Sequence, residues 1–259
     1  MSTWINAGTL EDGRVLELVI DRPKGNVLTM EVIAELCGEL ARHRADRPLR
    51  LVVLRGEGST FSYGASVEEH RREIAPKMLS AFHGLARDVA AYPVPVAALV
   101  DGRCLGGAFE LVLACHFAFA TESARFGCPE IKLGVIPPVL AAIGHHRLGA
   151  LAERLVLTGR EIGAHEAYAH GAVEAIIPAA DDPRTFVLDW YRETLAPLSA
   201  FALREATRAV REASGLVAAL GAPLDALERN YVARLLPSHD ANEGIDAFLA
   251  KRAPRWEDA

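Results

Sequence analysis

The chain has 259 residues, 51% of them hydrophobic and 24% charged, with a formal net charge of -6, which suits one large soluble domain or a domain with a small appendage. The acidic balance argues against general nucleic-acid binding, which needs a basic surface to neutralise phosphates, but leaves room for a local basic patch that meets a phosphorylated ligand. The opening residues, Met1-Ser2-Thr3-Trp4-Ile5-Asn6, lack the regions of a signal peptide, and no apolar run reaches the roughly 18 residues of a bilayer span, so a cytoplasmic protein without membrane contact is expected.

Along the chain, residues 14–20 read as a strand that the turn 21–26 stops. Thr29 is placed to N-cap a helix whose apolar stripe is Val32, Ile33, Leu36 and Leu40. Residues 51–54, all apolar, predict a strand buried on both faces. A glycine-rich break follows, then a small-residue loop at 61–66 and a charged segment at 67–73. A second helix is expected over 75–91, with Met78, Leu79, Phe82, Leu85 and Val89 on its buried face. Strands are expected at 96–100, 116–120 and 124–127.

From Pro137 the pattern turns helical, over 139–148, 151–158 and 163–170, with one strand at 172–177 and long helices to the end. Strand, turn and helix recurring with buried strands is an α/β pattern. Asp181-Asp182-Pro183 is the clear boundary signal of the second half, dividing a core at 1–180 from a helical region at 181–259. Cys37, Cys104, Cys115 and Cys128 form no C-x-x-C pair and are expected to be reduced thiols. His165 and His170 are five residues apart where a helical zinc pair needs four, so no metal is expected.

The stretch Gly102-Arg103-Cys104-Leu105-Gly106-Gly107-Ala108-Phe109-Glu110 carries the most chemistry. Adjacent glycines allow close approach to the backbone. The first turn of a helix presents unpartnered N–H groups and the positive end of the macrodipole, so such a corner can hold a developing negative charge. Glu110 lies three residues beyond Gly107, one turn along the same helix face. Read alone, the stretch is more simply plain strand-to-helix packing with a solvated glutamate.

Five stretches in order narrow that choice: 61–66, Gly102 to Glu110, 126–134, Leu157-Thr158-Gly159, and 243–252. Together they resemble the enoyl-CoA hydratase/isomerase, or crotonase, superfamily over nearly the whole chain. The resemblance implies a spiral of repeated ββα units with a helical C-terminal trimerisation region, and an acyl-CoA thioester as substrate. Homotrimers or hexamers are implied, and no cofactor, because coenzyme A is part of the substrate. It implies that the backbone amides of Ala65 and Gly107 hold the enolate oxygen, and that Glu110 and Glu130, twenty residues apart, handle the water. Glu130 would exchange the proton with the substrate carbon while Glu110 orients the water. Lys24, Ser66, Val67, Glu68 and Gly106 match positions along the substrate, Lys24 on a segment that runs beside the CoA moiety.

Three positions depart from the family pattern. Ser66 stands where an acidic residue is common, Ala108 replaces a third glycine, and the apolar residues 136–142 replace a glycine-rich turn after Gly134. The last change predicts a reshaped, more apolar acyl pocket. Within the superfamily, residues 64–70, 103–107 and 129–135 are most similar to the branch of cyclohexa-1,5-diene-1-carbonyl-CoA hydratases, which form 6-hydroxycyclohex-1-ene-1-carbonyl-CoA. A straight-chain 2-enoyl-CoA hydratase or an enoyl-CoA isomerase stays open, as does an RNA-binding or non-catalytic relative, against which the net charge and the two glutamates count.

Overall fold

A computed structural model describes residues 3–259. In chain order the strands are β1 (Ile5–Leu10), β2 (Val15–Ile20), β3 (Leu51–Gly56), β4 (Val96–Val100), β5 (Arg103–Leu105), β6 (Phe117–Thr121), β7 (Arg125–Gly127), β8 (Glu161–Gly163) and β9 (Ala175–Ile177). The helices are α1 (Met30–His43), α2 (Ala75–Ala90), α3 (Gly107–Ala114), α4 (Pro138–Leu148), α5 (Leu151–Thr158), α6 (Ala164–Ala169), α7 (Pro183–Thr194), α8 (Ala200–Ala213), α9 (Leu216–Ala219), α10 (Ala222–Asn230) and α11 (His239–Leu249). A six-stranded sheet has the order β1-β2-β3-β4-β6-β9, parallel except for the β1/β2 pair. A three-stranded sheet, β5-β7-β8, lies apart from it. Among the described residues no helix is long and apolar enough to cross a membrane.

Strand periodicity divides the large sheet into two packed faces. Leu16, Leu18, Ile20, Val52, Leu54, Val96, Ala98 and Val100 share one cluster with the stripes of α1 and α2. The alternate residues Val15, Leu51, Val53, Ala97 and Leu99 share another with Tyr191 of α7 and Leu203 of α8. Side chains two apart point the same way, so strands covered on both faces must be apolar throughout, as 51–54 are. Glu17 is the exception on the second face, and two guanidiniums satisfy it: Arg184 Nε donates to it at 2.7 Å and Arg55 Nε at 3.3 Å.

The helix caps follow side-chain chemistry. Thr29 Oγ1 accepts from the Val32 N–H at 3.5 Å, as expected, and the Glu69 carboxylate adds a second acceptor for the Met30 N–H at 3.0 Å. Asp182 caps α7 by accepting from the Thr185 N–H at 2.8 Å, so the boundary signal opens a helix. α7 and α8 cover the second face of the sheet, whereas the chain from α9 to α11 joins the main core through Leu216, Leu224, Tyr231 and Ile245.

Three strands lie outside those expected from the sequence. β1 is an edge strand with only Ile5 buried, and its Asn-Ala-Gly-Thr centre carries no apolar alternation. β5 and β8 are three residues each and exist through pairing with β7. The consequence for the glycine stretch is direct: Arg103–Leu105 is a strand between two turns, and that strand brings residues 125–130 beside it.

Candidate active site

Two glycine turns meet at the start of α3. Gly106 has φ +54°, donates its N–H to Gly127 O at 2.7 Å and accepts from the Glu110 N–H at 3.1 Å. Gly64, in the loop before α2, has φ +92°, and a Cβ there would stand 2.4 Å from Leu105 O and 3.1 Å from the Gly107 nitrogen. Any side chain at Gly64 would force the two backbones apart. A Cβ on Gly107 would stand 3.4 Å from the Ala65 nitrogen, so the two amides are neighbours. Neither the Ala65 nor the Gly107 N–H donates to an acceptor among the described residues. Two adjacent free donors, one at a helix N-terminus, suit an oxygen that gains negative charge.

The carboxylates come to this corner from two directions. Glu110 projects from the first turn of α3 and is 3% exposed; its Oε1 accepts from the Leu140 N–H at 2.8 Å. Pro137 offers no side-chain cap, so Glu110 caps α4 across the site. The segment 136–142 therefore supplies an amide to the acid. Glu130 sits on the 3-10 turn Pro129–Leu133, which follows β7, and is 9% exposed. A Cβ on Gly106 would lie 2.8 Å from Glu130 Oε1, so the glycine makes room for the acid. Oε2 of Glu130 is buried with no partner.

Burial raises both acids. Glu110 is pushed up to about 7 by desolvation, partly opposed by the amides of Leu140 and Val139. Glu130 is pushed up to about 8 by desolvation and then by the charge of Glu110. Two acids facing each other with little water favour holding one proton between them near neutrality. That state contains a proton donor and a proton acceptor at once. Glu17, equally buried but paired with arginines, offers no such chemistry.

A groove of about 1190 Å³ runs to this corner past Lys24, Ala65, Ser66, Val67, Glu68 and Leu105. The expected residues along the substrate thus line one groove, except Gly106, which lies behind Glu130. The two glutamates are buried beyond the groove wall. Arg22, Lys132 and Arg252 add positive charge to the wall, and Phe248 and Leu249 of α11 add apolar surface. None of these residues carries a sequence signal of its own, although 243–252 is one of the five stretches that carry the family resemblance. α11 can close the groove because Gly244 packs against Leu133, where a Cβ would meet Leu133 O at 2.2 Å.

Arg71 turns away and pairs with Asp246 at 3.1 Å, while His70 Nδ1 bonds to Ser66 O at 2.7 Å and braces the loop that carries Ala65. Tyr231 was also missed. Its buried hydroxyl has no partner, and burial with the charges of Glu130 and Glu110 raises its pKa well above the usual phenol range. No local pattern around Tyr231 signals this placement.

Comparisons with known proteins bear on the family and the fold. The family model described as enoyl-CoA hydratase/isomerase matches residues 11–259. The cyclohexa-1,5-dienecarbonyl-CoA hydratase of Thauera aromatica is 41% identical over 258 residues, covering 99% of this chain and 96% of that protein. The 2,3-dehydroadipyl-CoA hydratase of Escherichia coli is 34% identical, covering 94% of this chain and 95% of its own. A crystal structure of an enoyl-CoA hydratase from Mycobacterium avium subsp. paratuberculosis superposes with a TM-score of 0.84 at 28% identity, covering 99% of each chain. The chain belongs to the enoyl-CoA hydratase/isomerase family.

Proposed function

We propose that the protein adds water to cyclohexa-1,5-diene-1-carbonyl-CoA and forms 6-hydroxycyclohex-1-ene-1-carbonyl-CoA. The observation that carries this reading is the pairing of two raised-pKa glutamates, Glu110 and Glu130, with the free amides of Ala65 and Gly107. The 41% identity to the Thauera enzyme supports the ring substrate, and so does the apolar segment 136–142 with its buried Pro137, Pro138, Val139 and Leu140.

In the proposed step, Glu110 orients a water and a carboxylate takes its proton as the oxygen bonds to ring carbon C2, β to the thioester carbonyl. The electron pair of the C1–C2 double bond moves onto the thioester oxygen, where the Ala65 and Gly107 N–H groups stabilise it, each worth roughly 3 to 4 kcal/mol. Glu130 then protonates C5, the far end of the dienolate, and the double bond settles between C1 and C6. Renumbered, that compound is the 6-hydroxy-1-ene product. The water supplies both the hydroxyl and, through the carboxylates, the net proton. Coenzyme A enters as part of the substrate, with Lys24, Arg22 and Lys132 placed to meet its phosphates. Assembly as a homotrimer or hexamer through the helices after Asp182 belongs to the same proposal, supported by the exposed Phe201 of α8.

A panel of thioesters tests the substrate. Turnover of the cyclic diene above that of linear crotonyl-CoA is the expected result. A clear preference for the linear enoyl-CoA would replace the ring assignment with a straight-chain one, the reading that the E. coli relative favours.

A further inference from the structure

A second cavity, of about 460 Å³, lies between α4, α8 and the strand ends at Pro95 and Phe117, and shares no lining residue with the groove. Arg211 of α8 is 6% exposed, and its Nη2 donates to the carbonyls of Ala114 and Cys115 at 2.9 and 2.6 Å, which caps the C-terminal end of α3. Arg147, in the last turn of α4, has a buried Nε with no partner. His116 Nδ1 accepts from the Val96 N–H at 3.1 Å, which leaves the proton on Nε2, and that nitrogen too is buried without a partner.

The charges here are one-sided. Burial first, and then the charge of Arg147, disfavours the Arg211 cation, and burial followed by the charges of both arginines keeps His116 neutral. Among the described residues Glu174 is the only carboxylate whose charge favours the Arg147 cation, and no ion pair joins them. No acidic side chain lines the cavity. Arg211, which is buried, and Arg147, which is half-buried, disfavour each other's charge with no carboxylate paired to either, and that is costly. An anion in the cavity would remove that cost, and guanidinium forks match a carboxylate. The remaining wall, with Phe117, Leu195, Leu203 and Leu216, suits an apolar body.

We propose that this cavity binds a small organic carboxylate, held by Arg147, Arg211 and the Nε2–H of His116, with its apolar body against Phe117 and Leu203. The probe is benzoate, titrated into the full chain by calorimetry and followed by thermal unfolding at constant ionic strength, with neutral benzamide and inorganic phosphate as the other arms. Benzoate is expected to bind saturably and to raise the unfolding midpoint, benzamide to do neither, and phosphate to do less.

Arg147→Met is expected to weaken benzoate by at least about tenfold, as loss of a charged hydrogen-bonding group does. Without benzoate it should unfold at or above the wild-type midpoint, because a half-buried charge with no ion-pair partner has gone. Should Arg147→Met fail to fold, Arg147→Lys carries the test, keeping the charge, losing the fork and weakening benzoate less.

No response to benzoate, or the same response in wild type and the Arg147 variant, overturns the proposal. A phosphate response equal to that of benzoate overturns the organic-acid assignment. Dissociation of the native oligomer on Arg147→Met, with no benzoate effect, would place the counter-charge on a second copy of the chain instead.

Discussion

At its N-terminal end α3 faces Glu110 and Glu130; at its C-terminal end the carbonyls of Ala114 and Cys115 accept from Arg211, with Arg147 and His116 beside it. Both clusters match the macrodipole, acids at the positive end and cations at the negative end. Burial opposes the charge in both, raising the acids and lowering Arg211 to about 10. The outcomes differ because the starting values differ. Carboxylates raised to about 7 and about 8 change protonation near neutrality, whereas a guanidinium lowered to about 10 stays charged. One end of the helix can therefore move protons, and the other can only hold an anion.

The strongest way to break that contrast is at the acid end. Glu130→Gln and Glu110→Gln should each lower kcat by about 10² to 10⁴ and leave KM nearly unchanged, because the amide keeps the shape and loses the proton transfer. Near-normal turnover in either variant would remove that residue from the mechanism. A smaller effect is expected from geometry alone. Gly106→Ala puts a Cβ 2.8 Å from Glu130 Oε1 at φ +54°. Displacing that acid should cost roughly 10² in turnover, and the strained backbone about 1 kcal/mol of stability in urea unfolding.

Stability against pH gives a third test. An ordinary glutamate value of 4.5 rises to about 8 for Glu130 in the folded state, so the folded chain holds a proton that the unfolded chain has released. The associated stability is fully present below about pH 4.5 and is lost as pH rises through about 8. Glutamine escapes that loss. Glu130→Gln should therefore be more stable than wild type by a few kcal/mol above pH 8, with the two converging near pH 4.5. Parallel stability curves would show that the acid is not raised. The smallest effect belongs to the groove mouth: Lys24→Ala, at an exposed turn, should raise KM by less than about fivefold, in keeping with a solvent-screened ion pair.

What could be read from the chain alone was local. Gly106, Gly107 and Glu110 lie within five residues, and helix geometry suffices to put an anion site beside an acid. Thr29 as a cap and the stripes of α1 and α2 are legible for the same reason. Ala65 and Glu130 are legible only through the family resemblance, because their approach depends on β5 pairing with β7 and on the Gly64 turn fitting against Leu105. A three-residue strand has no periodicity to read. The Glu110 bond to Leu140 joins residues thirty apart through the packing of α3 on α4. Tyr231, Arg147 and Arg211 carry no sequence signal, since a buried tyrosine or a helical arginine looks the same whether or not it has a partner.

The most direct measurement is the mass of the product thioester after wild-type protein turns over cyclohexa-1,5-diene-1-carbonyl-CoA in oxygen-labelled water. One labelled oxygen per product, appearing at least about a hundredfold more slowly with Glu130→Gln and Glu110→Gln, is the predicted result. A product of unchanged mass with its double bonds moved would contradict hydration by the glutamate pair.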